Sequence, residues 1–319
     1  MTMDPAKFHP ESFARGTRQR LFAAFGDSLG FPILLARGRD PGRTLVVTAN
    51  VHGDEYEGVR AILETFDELD PAAMRGDFIG VPVVNLPAFW NGTRTSPLDG
   101  ANLARVFPGS VEGTASHQLA WHLGHAVIAR ADFYLDLHSG GVRYRMPSMA
   151  GYAAADSRAR AAAEEFGAAV IWGHPPPIDP GRTVSFATER GIPWIYTEAR
   201  GAGRIHPDDL RLMKRGVRNL LIHLGVLEGE PERVPVRTRL FGNGNTDSGM
   251  TAAQAGFLLL DVEILQAVAA GERLGRLVSV SGEALEEYRA PVNGIVAMTR
   301  EFPVVQPGDI LFLLAQLEE

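Results

Sequence analysis

Four residues of this chain have the types and the placement to act together. In TLVVTANVHGDEYEG (44–58), a run of β-branched and apolar residues stops at His52, Asp54, Glu55 and Glu57. LDLHSGG (135–141) carries His138 just past a second such run, and WIYTEARG (194–201) carries Glu198 at the end of a third. Two His and one carboxylate are the protein ligands of a catalytic zinc that keeps its fourth position for water. His52, Glu55 and His138 therefore form a candidate ligand set, and Glu198 a candidate general base for that water. The plain alternatives are a solvated turn whose acids favour the following helix N-terminus, for His52 and Glu55, and a hydrogen-bonded core histidine, for His138. With nine histidines in the chain, an H-x-x-E match by chance is easy, whereas four such residues at strand ends are not. Asp136 reads either as a partner orienting an imidazole or as a buried capping acid.

Arg94 and Arg105 are the only basic residues of the Gly- and Pro-punctuated stretch 87–113. A guanidinium grips a carboxylate through two parallel hydrogen bonds and also stabilises an oxyanion. One arginine for each task suits hydrolysis of an acylated amino acid; surface solubility is the ordinary fate of a loop arginine.

The elements that must position these residues alternate. TLVVTAN (44–50), FIGVPVVNL (78–86), DFYLDLHS (132–139), AAVIWG (168–173) and PWIYTEA (193–199) read as strands, with Pro82 weakening the second. Two further strands flank FGDSLGFP within 20–36. Helical periodicity runs over 56–69, 114–131 with Thr114 as N-cap, 155–167 and 206–227. This predicts an α/β fold: a mixed, mostly parallel sheet flanked by helices, over residues 1–230. In such sheets ligands bind beyond the carboxyl ends of the strands, where the four residues lie. After the polar stretch LEGEPERVP (227–235), short strand runs alternate with Gly-rich turns, predicting a small β-sandwich or barrel-like domain over 236–319.

Composition removes other classes. At 45% hydrophobic and 22% charged, the chain is an ordinary globular one, and its net charge of −7 argues against a phosphate-tracking groove, so no nucleic-acid partner is expected. The absence of cysteine excludes thiolate ligands and disulfides, leaving His and carboxylates for any metal. The N-terminal residues carry no apolar h-region and no stretch has the length of a membrane span, which leads to the expectation of a cytoplasmic protein with no membrane partner.

HGDEYEG, NLPAFWNGTRTSPLDGANLARVFPG, DLHSGG and GIPWIYTEARG together resemble the succinylglutamate desuccinylase/aspartoacylase family, relatives of the zinc carboxypeptidases. Within it, HGDEYEG, SPLDG and HPDDL are most similar to the N-acetyl-diaminobutyrate deacetylase-type branch. The resemblance covers the chain from about residue 20 onward. It implies one Zn2+ per chain on His52, Glu55 and His138, Glu198 as base and proton shuttle, and Arg94 polarising the scissile carbonyl. It also implies that Arg105 binds the substrate carboxylate, and Asn102 of the same stretch is assigned to substrate binding with it. APVNGIV is similar to a biotinyl-type hairpin but lacks the modifiable Lys, so no carrier role follows. The family pattern DGxNLNRxFPG reads DGANLARVFPG here, with Ala104 in place of an Asn. A lost amide donor weakens carboxylate recognition, and Arg182 is the candidate for a replacement contact.

The expected function is thus a zinc-dependent deacylase or deacetylase cleaving the amide of a small N-acyl amino acid. Its alternatives are a metallocarboxypeptidase acting on short peptides and a zinc-containing binding protein whose catalysis has decayed. A homo-oligomer is the default assembly. GDSLG (26–30) matches a nucleophile elbow in letters only, because Pro32 and a strand-like run follow where a helix is required, so Ser28 is not expected as a nucleophile. His117, His122 and His125 have no carboxylate at ligand spacing and read as helix-surface or packing residues. GNGNTDSGM (242–250) reads as a polar turn.

Overall fold

The run Leu45–Ala49 is apolar but for the buried Thr48 because both faces of its strand are covered. In the computed structural model, which describes residues 1–26 and 29–318, Leu45, Val47 and Ala49 join one apolar core and Val46 the other. The strand Asp40–Ala49 pairs in parallel with Arg75–Val81 on one side and Phe133–Leu137 on the other. Trp194–Glu198 then pairs in parallel with Phe133–Leu137. Three neighbouring parallel strands thus deliver His52, His138 and Glu198 to the same edge of the sheet.

The sheet extends outward from these three. Leu29–Arg37 and Thr17–Phe25 follow Arg75–Val81 in antiparallel pairing. Beyond Trp194–Glu198 lie Met149–Ala153, antiparallel to it, and then Val170–His174 and Thr238–Phe241, each parallel to its inner neighbour. Helices Glu57–Glu68, Ser157–Phe166 and Pro207–His223 cover one face, and Ala115–Ala126 and Thr183–Glu189 the other. The architecture is the expected α/β one, a mostly parallel sheet between helices, followed by antiparallel strands.

Several local expectations shift. The second strand stops at Val81 rather than at residue 86, since Pro82 offers no N–H to the ladder. The chain turns instead into the short helix Leu86–Asn91, whose Ala88 N–H donates to Asn85 Oδ1 at 3.3 Å. Thr114 does sit at the N-cap position but does not cap: Ser116 N–H donates 2.8 Å to Asp99 Oδ2, and Thr114 Oγ1 donates to the same oxygen. Sequence reading missed the strand Met149–Ala153 and the helix Thr183–Glu189. MAGYA is short and holds a glycine lying under the Tyr196 ring, where a Cβ would stand 2.1 Å from it. The helix is only seven residues long, too short to display a periodicity.

The polar stretch 227–235 has no helix or strand. After it, Thr238–Phe241 also pairs antiparallel with Ile310–Leu317, which carries Gly294–Arg300. A separate antiparallel sheet contains Ala284–Arg289, Arg273–Val278, Gly256–Leu260 and Val304–Val305. Met149, Val170 and Trp172 share one apolar core with Leu240, Met298 and Leu313, so the two parts of the chain pack directly on each other. Among the described residues, no helix is long and apolar enough to cross a membrane.

Candidate metal centre

The turn that presents His52 and Glu55 is fixed by its own backbone. Asn50 leaves the strand at φ 60°, a left-handed conformation that Asn tolerates, and its Nδ2 donates 2.8 Å to the Glu55 carbonyl. Gly53 passes so close to the helix Leu86–Asn91 that a Cβ would lie 2.1 Å from the Ala88 carbonyl carbon. Glu57–Glu68 begins two residues after Glu55, so ligand turn and helix start are one unit.

One ligand atom each from His52, Glu55 and His138 lies within 4.8 Å of the others. His52 Nδ1 is 2.7 Å from Glu55 Oε1, and His138 Nδ1 is 2.9 Å from Glu55 Oε2. The opposite nitrogens fix the tautomers. His138 Nε2 donates to Asp136 Oδ2 at 3.0 Å, and His52 Nε2 donates to Asn102 Oδ1 at 3.2 Å, an oxygen that also accepts Ala104 N–H at 3.0 Å. Both imidazoles therefore aim Nδ1 at the same carboxylate. Two imidazole nitrogens and one carboxylate, all buried or nearly so, form a donor set suited to a borderline cation such as zinc.

Charge around the cluster is tuned by burial and by neighbours. Burial, with Arg94 nearby, pushes His52 down to about 4, which keeps it neutral as a ligand must be. Burial alone would raise Glu55, but the two imidazoles hold it well below the usual carboxylate range. Burial would lower His138, yet Asp136 and Glu55 hold it well above 6.5, so a metal arriving here displaces a proton. Glu198 is pushed up to about 8, first by burial and then by the Glu55 charge, and its buried Oε2 has no hydrogen-bond partner.

Glu198, His52 and His138 line a cleft of about 80 Å³ together with Arg94, Arg105, Arg182 and Tyr196. The residues assigned to the site from sequence are thus at or beside one cleft, but in different states. Arg94 Nη1 donates to Glu55 Oε1 at 3.3 Å. Asn102 is taken up by His52 and its own turn. Arg105 is held by Asp247, at 2.6 Å from Nε, and Arg182 by Asp179, at 3.0 Å. Asp136, beneath His138, also accepts from Thr48 Oγ1 at 2.7 Å. The three histidines of the helix Ala115–Ala126 lie elsewhere: His117 bonds Thr114, His122 packs on Phe25 and His125 stacks on Trp121. Ser28 lies outside the described residues.

Sequence reading missed several contributors. Tyr196, two residues before Glu198, faces the cleft and bonds His174 Nε2 through its hydroxyl at 2.9 Å; the two-residue period of a strand was a usable signal for it. Gly244 and Thr246, from the polar turn of the C-terminal segment, line the same cleft, and nothing local in that turn marks it as part of a site.

A family model described as the succinylglutamate desuccinylase/aspartoacylase catalytic domain matches residues 41–224. The chain is 34% identical to the N-alpha-acetyl-L-2,4-diaminobutyric acid deacetylase of Halomonas elongata, over 88% of this chain and 84% of that one. Among solved structures it is similar to a succinylglutamate desuccinylase from Silicibacter, with a TM-score of 0.83 and 28% identity over 94% of this chain and 93% of that one. The product-bound ectoine utilization protein EutE (DoeB) of Ruegeria pomeroyi also superposes with a TM-score of 0.83, at 28% identity over 94% of each chain. On the strength of these matches, and with its donor residues inside the matched segment, the chain belongs to the succinylglutamate desuccinylase/aspartoacylase family.

Proposed function

We propose that this protein is a zinc-dependent hydrolase that cleaves the amide bond of a small N-acyl amino acid. The observation that carries this reading is the pair of imidazole Nδ1 atoms aimed at the two oxygens of Glu55, at 2.7 and 2.9 Å, with the unpartnered Glu198 Oε2 in the same cleft. Bound by His52, Glu55 and His138, zinc supplies a Lewis acid and an acidified water. Glu198 takes a proton from the attacking water and later passes it to the leaving amine. Arg94 presents its guanidinium where the carbonyl oxygen becomes an oxyanion. Asp136 keeps the His138 ring in the orientation and tautomer that leave Nδ1 free.

The names of the relatives support the same class: one is a deacetylase of an acetylated diamino acid, and another a desuccinylase. A cleft of about 80 Å³ favours a small substrate. A second reading, a carboxypeptidase acting on short peptides, is favoured by one feature. A larger cavity of about 430 Å³, lined by Thr93, Tyr144 and Phe302, shares Arg94 with the cleft and offers room for a longer acyl side.

The test is free-amine release from N-acetyl-2,4-diaminobutyrate, N-acetylaspartate, N-succinylglutamate and short peptides, before and after chelation, with zinc restored. Release from one acylated amino acid, abolished by the chelator and recovered with zinc, is the expected result. Release from peptides alone selects the second reading. Silence across the whole set, from protein holding stoichiometric zinc, overturns both.

A further inference from the structure

The arginine expected to meet the substrate carboxylate has no fork to offer. Arg105 donates from Nε to Asp247 Oδ2 at 2.6 Å and from Nη2 to Asp247 Oδ1 at 3.1 Å. Nη2 also reaches Thr246 Oγ1 at 3.4 Å, and Nη1 donates 2.9 Å to the Ala104 carbonyl. A guanidinium has five N–H donors, and a carboxylate is gripped by two parallel ones. Only one N–H, on Nη1, is left, and that cannot form a two-point grip. The neighbouring position adds nothing, because Ala104 has no polar side chain.

Arg182 differs. It spends a single bond on Asp179, its buried Nε has no partner, and it lines the cleft. Of the two arginines on this side, one is closed by an internal carboxylate and one retains donors.

We propose that Asp247 is a specificity-determining residue: by occupying the fork of Arg105 it limits the amino-acid part of the substrate to one carboxylate, which Arg182 takes. The proposal rests on the amide-hydrolase reading above. Asp247 is tethered to the same chain beside Arg105, so it competes with a free carboxylate at an effective concentration on the order of millimolar or more. Its side chain is 53% exposed, and an ion pair so exposed adds little to stability. Removing it therefore frees Arg105 without unfolding the chain. The turn has its own supports, since Asp247 N–H and Ser248 Oγ both bond to Asn245.

The experiment compares kcat/KM for N-acetylaspartate and N-acetylalanine in zinc-loaded wild type, Asp247→Asn and Asp247→Glu. In Asp247→Asn the ratio of dicarboxylate to monocarboxylate should rise about tenfold, through KM, as expected for a freed charge-assisted contact; Asp247→Glu should restore it. A purely structural role for Asp247 predicts that both substrates suffer alike, and an unchanged ratio overturns the proposal. Calorimetric binding of succinate to the same proteins keeps the two readings apart. If wild type turns over no amide, the function reading fails, yet tighter succinate binding by Asp247→Asn still supports this assignment and equal binding still overturns it.

Discussion

The two walls of the cleft are built in opposite ways. The wall carrying the candidate donor set, called the metal wall below, comes from three adjacent parallel strands, and each of its groups stands at or within several residues of a strand end whose position the sheet dictates. The opposite wall is assembled from the loop carrying Arg105, the segment around Arg182 and a turn from beyond residue 240. On the first wall the imidazoles face a shared carboxylate and are steered from behind by Asp136 and Asn102. On the second, the arginines hold carboxylates of the chain itself. In the proposed function, chemistry belongs to the wall the sheet builds, and selectivity to the wall whose partners can be exchanged one residue at a time.

Three substitutions bear on that contrast. Glu198→Gln removes the base and leaves the donor set intact, so kcat should fall about 10²–10⁴-fold with zinc content unchanged. A variant that keeps wild-type turnover would end the claim that the metal wall holds the chemistry. Asp136→Asn takes the charge from behind His138 without touching a ligand. Zinc affinity, measured by competition with a chelator, should drop about 10–100-fold. No change would mean that strand geometry alone aims the ring.

Asp99→Ala has the smallest expected effect. Burial alone would raise the Asp99 pKa, but the bonds it accepts from Thr114, Ser116 and Ala101 outweigh burial and hold it below the ordinary aspartate range. A lowered folded pKa means that this stability is present above the unfolded value of 3.8 and is lost as pH falls through the lower, folded one. At neutral pH the variant should lose about 1–2 kcal/mol in a denaturant titration. The gap to wild type should close in acid; a gap that stays constant down to the lowest accessible pH contradicts the capping role.

The same contrast governs what could be read from the amino acids. His52, Glu55, His138 and Glu198 were legible because apolar runs announce buried strands, and a polar residue at the end of one has few places to go. Tyr196 was legible in principle, through its two-residue offset from Glu198. Asp247 was not: it reaches Arg105 through the path of the chain over more than a hundred residues, and no local pattern encodes that return. Asn102 was read toward the substrate, and its placement against His52 depends on the turn that also spends its oxygen on Ala104. The strand Met149–Ala153 was hidden for a similar reason, since small residues there make room for the Tyr196 ring.

The short strand Thr238–Phe241 has a mechanical consequence. It is bonded to Val170–His174 on one side and to Ile310–Leu317 on the other, and the turn bearing Asp247 follows it directly. Trp172 and Met149 would be stripped of cover if the C-terminal strands peeled away, a cost that couples the unfolding of the two parts. In the proposed function, the wall that sorts substrates is thereby fastened to the wall that cuts them through shared strands and core.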